Sequence, residues 1–265
     1  MNKQLLRNVK ILSTGSYLPN KILFNKDLEK LVNTNSEWIE ETLGIYERRI
    51  ADKAEFTSDL AAKAALNAIE TSGLSINDID LIIVATATPD RSAPSTAAIV
   101  QDKIKAYNAV AFDISAVCSG FLFAMSVASQ YIASGVYNNV LVIGADTFSR
   151  ITDWQRRDAV FFGDGAGAVI LQHCDSNAGV IDSNIYSDGS MYDILYTDGG
   201  VSTNGKSGRV QMKGQEVFRR AIEKMSESVK QLLEVNGMSL SDIELKDIGE
   251  KLWQTVSQFA PLIQL

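Results

Sequence analysis

The sequence predicts an α/β fold, with a sheet covered by helices, and three observations carry that prediction. Leu81–Thr86 (LIIVAT) is apolar at nearly every position, as a strand buried on both faces must be. Strand-like and helix-like runs alternate along most of the chain. At 265 residues, 46% hydrophobic and 22% charged, the chain has enough apolar side chains for a large core.

The elements follow in order. Val9–Leu12 reads as a short strand. Ser58 is placed to cap a helix running to Ile69, with Leu60, Ala64 and Ala68 on one face. After the buried strand, Thr96–Lys105 reads as a helix, Val110–Ile114 as a strand, Phe121–Ala133 as a helix and Val140–Ala145 as a strand. Ala166–Leu171 and Val180–Tyr186 add two strands, and Gln215–Val235 is a long amphipathic helix.

A repeat links the two ends of this series. SGLSINDIDL (Ser72–Leu81) is echoed by NGMSLSDIEL (Asn236–Leu245), each copy following a helix. Shared turn chemistry explains a short match; an old duplication explains it with two halves of one topology. The first copy runs into LIIVAT. The second runs into Lys246, Asp247, Glu250 and Lys251, which do not suit a strand buried on both faces. There Ile248, Leu252, Val256, Phe259 and Ile263 recur at helical spacing instead. A duplicated fold is thus expected to be left incomplete in its second half.

Composition narrows the function. A net charge of −7 argues against nucleic acid as the main partner. The N-terminal apolar run is short and broken by Ser13 and Gly15, so neither a signal peptide nor a membrane span is expected. Two cysteines make no disulfide framework, which fits a cytoplasmic protein with free thiols.

Cys118 has the most informative setting. A strand ends near Ile114, a short turn carries Ser115–Cys118, and an apolar helix begins near Ser119. A thiol at a helix N-terminus is expected to favour its thiolate, and Ala116, Ser119 and Gly120 leave room for a substrate. A buried structural cysteine fits the position as well. Cys174, among polar loop residues, reads as structural. His173, the only histidine, lies at a strand end and reads as surface or packing. In FGDGAGAVIL, Gly163, Gly165 and Gly167 precede a strand rather than a helix, so they read as turn and close-packing glycines, not a phosphate loop. Trp38 reads first as a helix packing residue, and Arg156 and Arg157 as solvated cations.

Together GSYLPN, LVNTNSEWIEETLGIYERRI, DLIIVATATPD, PSTA, FDISAVCSGFLFA, FGDGAGAVIL and SDGS, in this order from about Ile11 to Glu244, resemble the ketoacyl-acyl-carrier-protein synthase III family of the thiolase-like superfamily. The resemblance implies a layered α/β/α/β/α fold of two similar halves. Residues 1–175 then form the half with the nucleophile, 176–245 the start of the second half, incomplete here, and 246–265 a divergent tail left by truncation or a frameshift. It implies that Cys118 takes an acyl group from acyl-CoA as a thioester, that malonyl-acyl-carrier protein receives it, and that fatty-acid synthesis begins there. Trp38 and Arg157 match residues that sandwich the CoA adenine, and Thr34 one near it. No bound cofactor, metal or membrane is implied; a homodimer is.

The departures are as definite. Thr42 stands where some relatives have an arginine in the CoA cleft, and Ala93 where a phenylalanine often closes the acyl pocket. The family's catalytic His and Asn, its second oxyanion donor and its basic docking residues for acyl carrier protein have no counterpart in the sequence. Condensation is therefore expected to be impaired. The alternatives are an inactive remnant or interaction subunit, and a transferase that uses Cys118 alone.

Overall fold

A computed structural model describes residues 7–176 and 179–243. The elements are β1 (Asn8–Tyr17), β2 (Lys21–Phe24), α1 (Asn25–Leu28), α2 (Ser36–Leu43), β3 (Glu47–Ile50), α3 (Thr57–Ser72), β4 (Leu81–Ala85), α4 (Thr96–Ile104), β5 (Val110–Ile114), α5 (Gly120–Ala133), β6 (Asn139–Thr147), β7 (Asp164–Cys174), β8 (Leu195–Thr197), β9 (Val210–Met212) and α6 (Gly214–Val235). The described residues fall into two compact units, 7–21, 50–147, 164–176 and 179–185 in the first and 22–49, 148–163 and 186–243 in the second.

The first unit is built on a five-stranded sheet in the order β1-β7-β6-β4-β5. β4 runs parallel to both β5 and β6, and β7 runs antiparallel to β6 and β1. Strand alternation sends side chains to opposite faces, and both faces here are apolar. Ile82, Val84, Leu141 and Ile143 pack with Leu60, Ala64 and Ala68 of α3 and with Val100 and Ile104 of α4. Leu81, Ile83, Val140 and Val142 pack with Ala124, Ala128 and Ile132 of α5 on the other face. The unit is thus a three-layer α/β/α sandwich. α3 approaches β1 so closely that a Cβ on Gly15 would collide with the Ala64 carbonyl and the Ala68 amide.

The second unit holds two short ribbons, β2–β3 and β8–β9, with α1, α2 and α6. One apolar cluster gathers Leu28, Val32, Ile39, Ile45 and Val160; another gathers Ile151, Phe162 and Val210. Arg48 of β3 is buried beside the first cluster and donates to Asn25 Oδ1 (2.9 Å) and the Val160 carbonyl (3.1 Å).

The repeat is visible in local geometry. Gly73 ends α3 in the left-handed region, Ser75 N–H donates to Asp78 Oδ2 (2.8 Å), and a 3₁₀ turn follows at Ile76–Asp78. After α6, Gly237 takes φ 65°, Ser239 N–H donates to Asp242 Oδ2 (2.7 Å), and a 3₁₀ turn follows at Leu240–Asp242. The expectations for residues 246–265, strand-breaking charges and a helical apolar stripe, lie outside the described residues.

Three expectations need correction. Val180–Tyr186 is not a strand: Val180 N–H reaches β1 at the Val9 carbonyl (2.7 Å), but no ladder follows, and Ile181 and Tyr186 are exposed. Its alternating apolar residues have no sheet face to enter. Ser58 does not cap α3, which begins one residue earlier, where Asp59 accepts from the Phe56 N–H (2.8 Å). Ser58 instead gives its N–H and hydroxyl to Asp90 (2.9 and 2.6 Å). The glycines of the Phe162–Leu171 run do not all precede the strand: β7 begins at Asp164, so Gly165 and Gly167 lie inside it. A Cβ on Gly163 would stand 3.0 Å from Arg48 Cβ, whereas one on Gly167 would meet nothing within 4 Å.

Candidate active site

The parallel strands β4 and β5 end at one level, where Ala85 pairs with both Ile114 and Gly144, while β6 runs on to Thr147. The chain leaves β5 there, makes a 3₁₀ turn at Val117–Ser119 and enters α5. Val117 has φ 47°. That left-handed conformation is strained for a β-branched residue, and it sits next to the candidate nucleophile. Gly120 N–H closes the turn on the Val117 carbonyl, and Ser119 Oγ donates to the Ala116 carbonyl (3.0 Å). Cys118 is exposed at the crest of this turn, while Cys174 is buried.

The electrostatics at Cys118 run against the sequence expectation. The thiol pKa is raised, first by loss of hydration and second by the Asp146 carboxylate; a hydrogen bond from the residue's own N–H opposes them. The residue is exposed as a whole, yet its sulfur sits low enough among neighbours to lose hydration. The expected gain for the thiolate from a helix N-terminus does not prevail, because lost hydration first and the Asp146 charge second both disfavour the charged sulfur.

Asp146 is the residue that sequence reasoning missed. It lies near the end of β6, and its Oδ1 accepts from Thr86 Oγ1 (3.0 Å), Ala87 N–H (2.8 Å), Thr88 N–H (3.0 Å) and Thr88 Oγ1 (2.8 Å). Burial pushes its carboxyl up, and those donors pull it back. The only signal in the sequence was a charged residue inside the apolar run NVLVIGADT.

His173 is far from this end. It follows Gln172, which pairs with Asn139 at the start of β6, whereas Thr147 and Asp164 mark the other end. Eight residue steps of strand separate the two ends, roughly 25 Å. His173 Nε2 lies 3.2 Å from Asp175 Oδ1.

In the second unit, Asn35 Oδ1 accepts from Trp38 N–H (2.7 Å) and so caps α2. The Trp38 indole packs on the Leu28–Val160 cluster. On its outer side lies the Arg157 guanidinium, 4.0 Å from the ring centroid. Arg156 is engaged elsewhere: it pairs with Asp158 (3.0 Å) and reaches Gln211 Oε1 (3.2 Å). Neither arginine is therefore simply solvated. Trp38, both arginines, Phe161 and Met212 line an open groove of about 620 Å³. Thr34 is not in that lining, but its hydroxyl oxygen is buried with no partner among the described residues. No described group of His, Cys, Asp and Glu could hold a metal ion, and no described helix is long and apolar enough to cross a membrane.

Comparison with known proteins adds a family to this geometry. Residues 112–189, which span the nucleophile turn, match the family model described as 3-oxoacyl-[acyl-carrier-protein (ACP)] synthase III. The chain is 52% identical over 236 residues to a beta-ketoacyl-[acyl-carrier-protein] synthase III of Rickettsia canadensis, covering 89% of this chain and 74% of that one. It is 51% identical over 239 residues to the protein of the same name from Wolbachia pipientis, covering 88% and 74%. Among solved structures, the 3-oxoacyl-[acyl-carrier-protein] synthase III of Aquifex aeolicus superposes with a TM-score of 0.82 at 43% identity, covering 87% and 73%.

Proposed function

Because the chain belongs to the beta-ketoacyl-[acyl-carrier-protein] synthase III family, a family of condensing enzymes of fatty-acid synthesis, we propose that it carries the acyl-accepting half of that chemistry on Cys118. The observation that carries this reading is an exposed thiol on a strained turn, just beyond the end of β5 in the parallel part of the sheet. The Cys118 sulfur attacks the thioester carbonyl of an acyl-CoA. The carbon–sulfur bond to CoA breaks, the acyl group stays on Cys118, and the proton leaves with the CoA thiol. The Cys118 backbone N–H is the oxyanion donor nearest to hand.

Trp38 and Arg157 are the proposed adenine clamp. Their stacked pair leaves a flat ring and a planar cation on one groove, which suits a purine ring system. The buried, unpartnered Thr34 hydroxyl supports a polar contact nearby. Ala93 supports room for acyl chains longer than acetyl. The division into a nucleophile-bearing half, 1–175, and the start of a second half, 176–245, draws support from the matched turns at Gly73 and Gly237.

We read transfer to malonyl-acyl-carrier protein as impaired in these 265 residues. Their one histidine stands at the far end of β7, out of reach of Cys118. Removing one transition-state donor costs about 10²–10³ in rate. A homodimer fits the edge that β5 presents among the described residues, and a cytosolic setting fits two cysteines that form no disulfide.

The experiment has two arms. Release of free CoA from acetyl-CoA should follow stoichiometrically on mixing and vanish in Cys118→Ala. Ketoacyl product with malonyl-acyl-carrier protein should stay near background. No CoA release would overturn the acyl-accepting role; ketoacyl product at substantial turnover would overturn the impairment.

A further inference from the structure

α6 carries an apolar stripe that the described residues leave half bare. Phe218, Ile222, Met225 and Val229 fall at intervals of four, three and four, on one face of the helix. Each is 46–49% exposed. The charged residues instead pair along the helix, Arg220 with Glu223 (3.0 Å) and Lys224 with Glu227 (2.9 Å). The first copy of the repeat shows the same face in use. At the offset that relates Gly73 to Gly237, Ile222, Met225 and Val229 match Ser58, Ala61 and Ala65 of α3, all of them buried. Beyond the turn at Gly73, Ile82 and Val84 enter the cluster that holds Ala61 and Ala65. Beyond the matching turn at Gly237, Met238 N–H reaches back to the Leu233 carbonyl (2.8 Å), and the described chain ends at Ile243.

We propose that residues 246–260 dock on this face of α6 as an antiparallel amphipathic helix, so that the chain covers its own exposed stripe. Ile248, Leu252, Val256 and Phe259 recur at intervals of four, four and three. They span eleven residue steps, as Phe218 to Val229 do, which is about 16 Å of α-helix. Run antiparallel, the two sets meet anchor for anchor to within one residue: Phe259 by Phe218, Val256 by Ile222, Leu252 by Met225 and Ile248 by Val229. Pro261 lacks the N–H that a helix interior uses and closes the segment. Strand side chains alternate between faces, so this spacing suits a helix where the first copy has a strand. Gly249 and the short length leave such a helix marginal on its own in water, so its order depends on the face it covers. The other occupant with a matching surface is a second copy of the chain. A segment tethered just beyond the end of α6 competes with it at an effective concentration on the order of mM, and that favours the tail. The proposal is independent of the role of Cys118.

The test is hydrogen–deuterium exchange of the full chain, read from peptide masses. In the unaltered protein the amides of 246–260 should exchange about tenfold or more slowly than those of an unstructured chain, and equally so at low and high protein concentration. Met225→Asp sets a charge in the middle of the stripe and should return those amides to the unprotected rate. Glu227→Gln, on the opposite face of α6, should leave their protection unchanged. Unprotected amides in the unaltered protein overturn the proposal, and so does protection that survives in Met225→Asp. Protection that fades on dilution overturns it as well, because a second copy then covers the face. Should Met225→Asp not fold, Leu252→Asp decides from the other side: the α6 amides from 218 to 229 should exchange faster in it, and an unchanged α6 overturns the proposal.

Discussion

At Cys118, exposure and electrostatics pull in opposite directions. The turn lifts the residue to the surface, while dehydration and Asp146 hold its proton on. The thiolate fraction is small near neutrality and grows as pH rises. Acyl transfer from acetyl-CoA should therefore keep climbing above the pH at which a free thiol levels off, in a stopped-flow pH series. Trp38 and Arg157 make a second claim at this scale. Arg157→Ala removes the cation from the indole face, an interaction worth about 0.5–1 kcal/mol at an exposed site. Calorimetric titration with CoA should show affinity falling severalfold, with the melting temperature unchanged because Arg157 is exposed. The place of Cys118 was legible from its strand–turn–helix context. Its protonation was not, because the packing that dehydrates the sulfur and the charge of Asp146 on β6 both depend on tertiary structure. The partner of each arginine likewise needed the structure, which pairs Arg156 with Asp158 and sets Arg157 over Trp38.

Elements were legible where both faces agree on burial. β4 reads as apolar throughout and is fully buried, and β5 falls where the sequence put it. β3 (ERRI) gave no such signal, since three of its four residues are charged, yet Arg48 is buried. Burial holds Arg48 down to about 10, still well above neutrality, so it is a buried cation resting on Asn25 and Val160. Arg48→Met should strand those two acceptors and cost about 3 kcal/mol in chemical denaturation. α2 carried its own signals, Asn35 before it and Gly44 after it. Val180–Tyr186 shows the converse error, since period-two alternation makes a strand only where a neighbour offers its edge. Gly15 tests the packing of α3 on β1: Gly15→Val must push the helix off the sheet, and a loss of about 2–3 kcal/mol is expected in thermal melting.

For the molecule as a whole, the three-layer first unit and the repeated helix–turn signature follow from patterns already present in the sequence. The second unit was harder to read, because it gathers segments 22–49, 148–163 and 186–243 that are distant along the chain. β5 ends the sheet with Val110 exposed at its start. Light scattering should report a dimer if a second copy pairs on that edge. The account as a whole depends on one sulfur becoming acylated. Intact-mass spectrometry after brief mixing with acetyl-CoA measures this directly. The expected result is a gain of a single acetyl group, mapped by fragmentation to Cys118 and absent from Cys118→Ala. An unmodified chain, or an acetyl group mapped to Cys174, would contradict it.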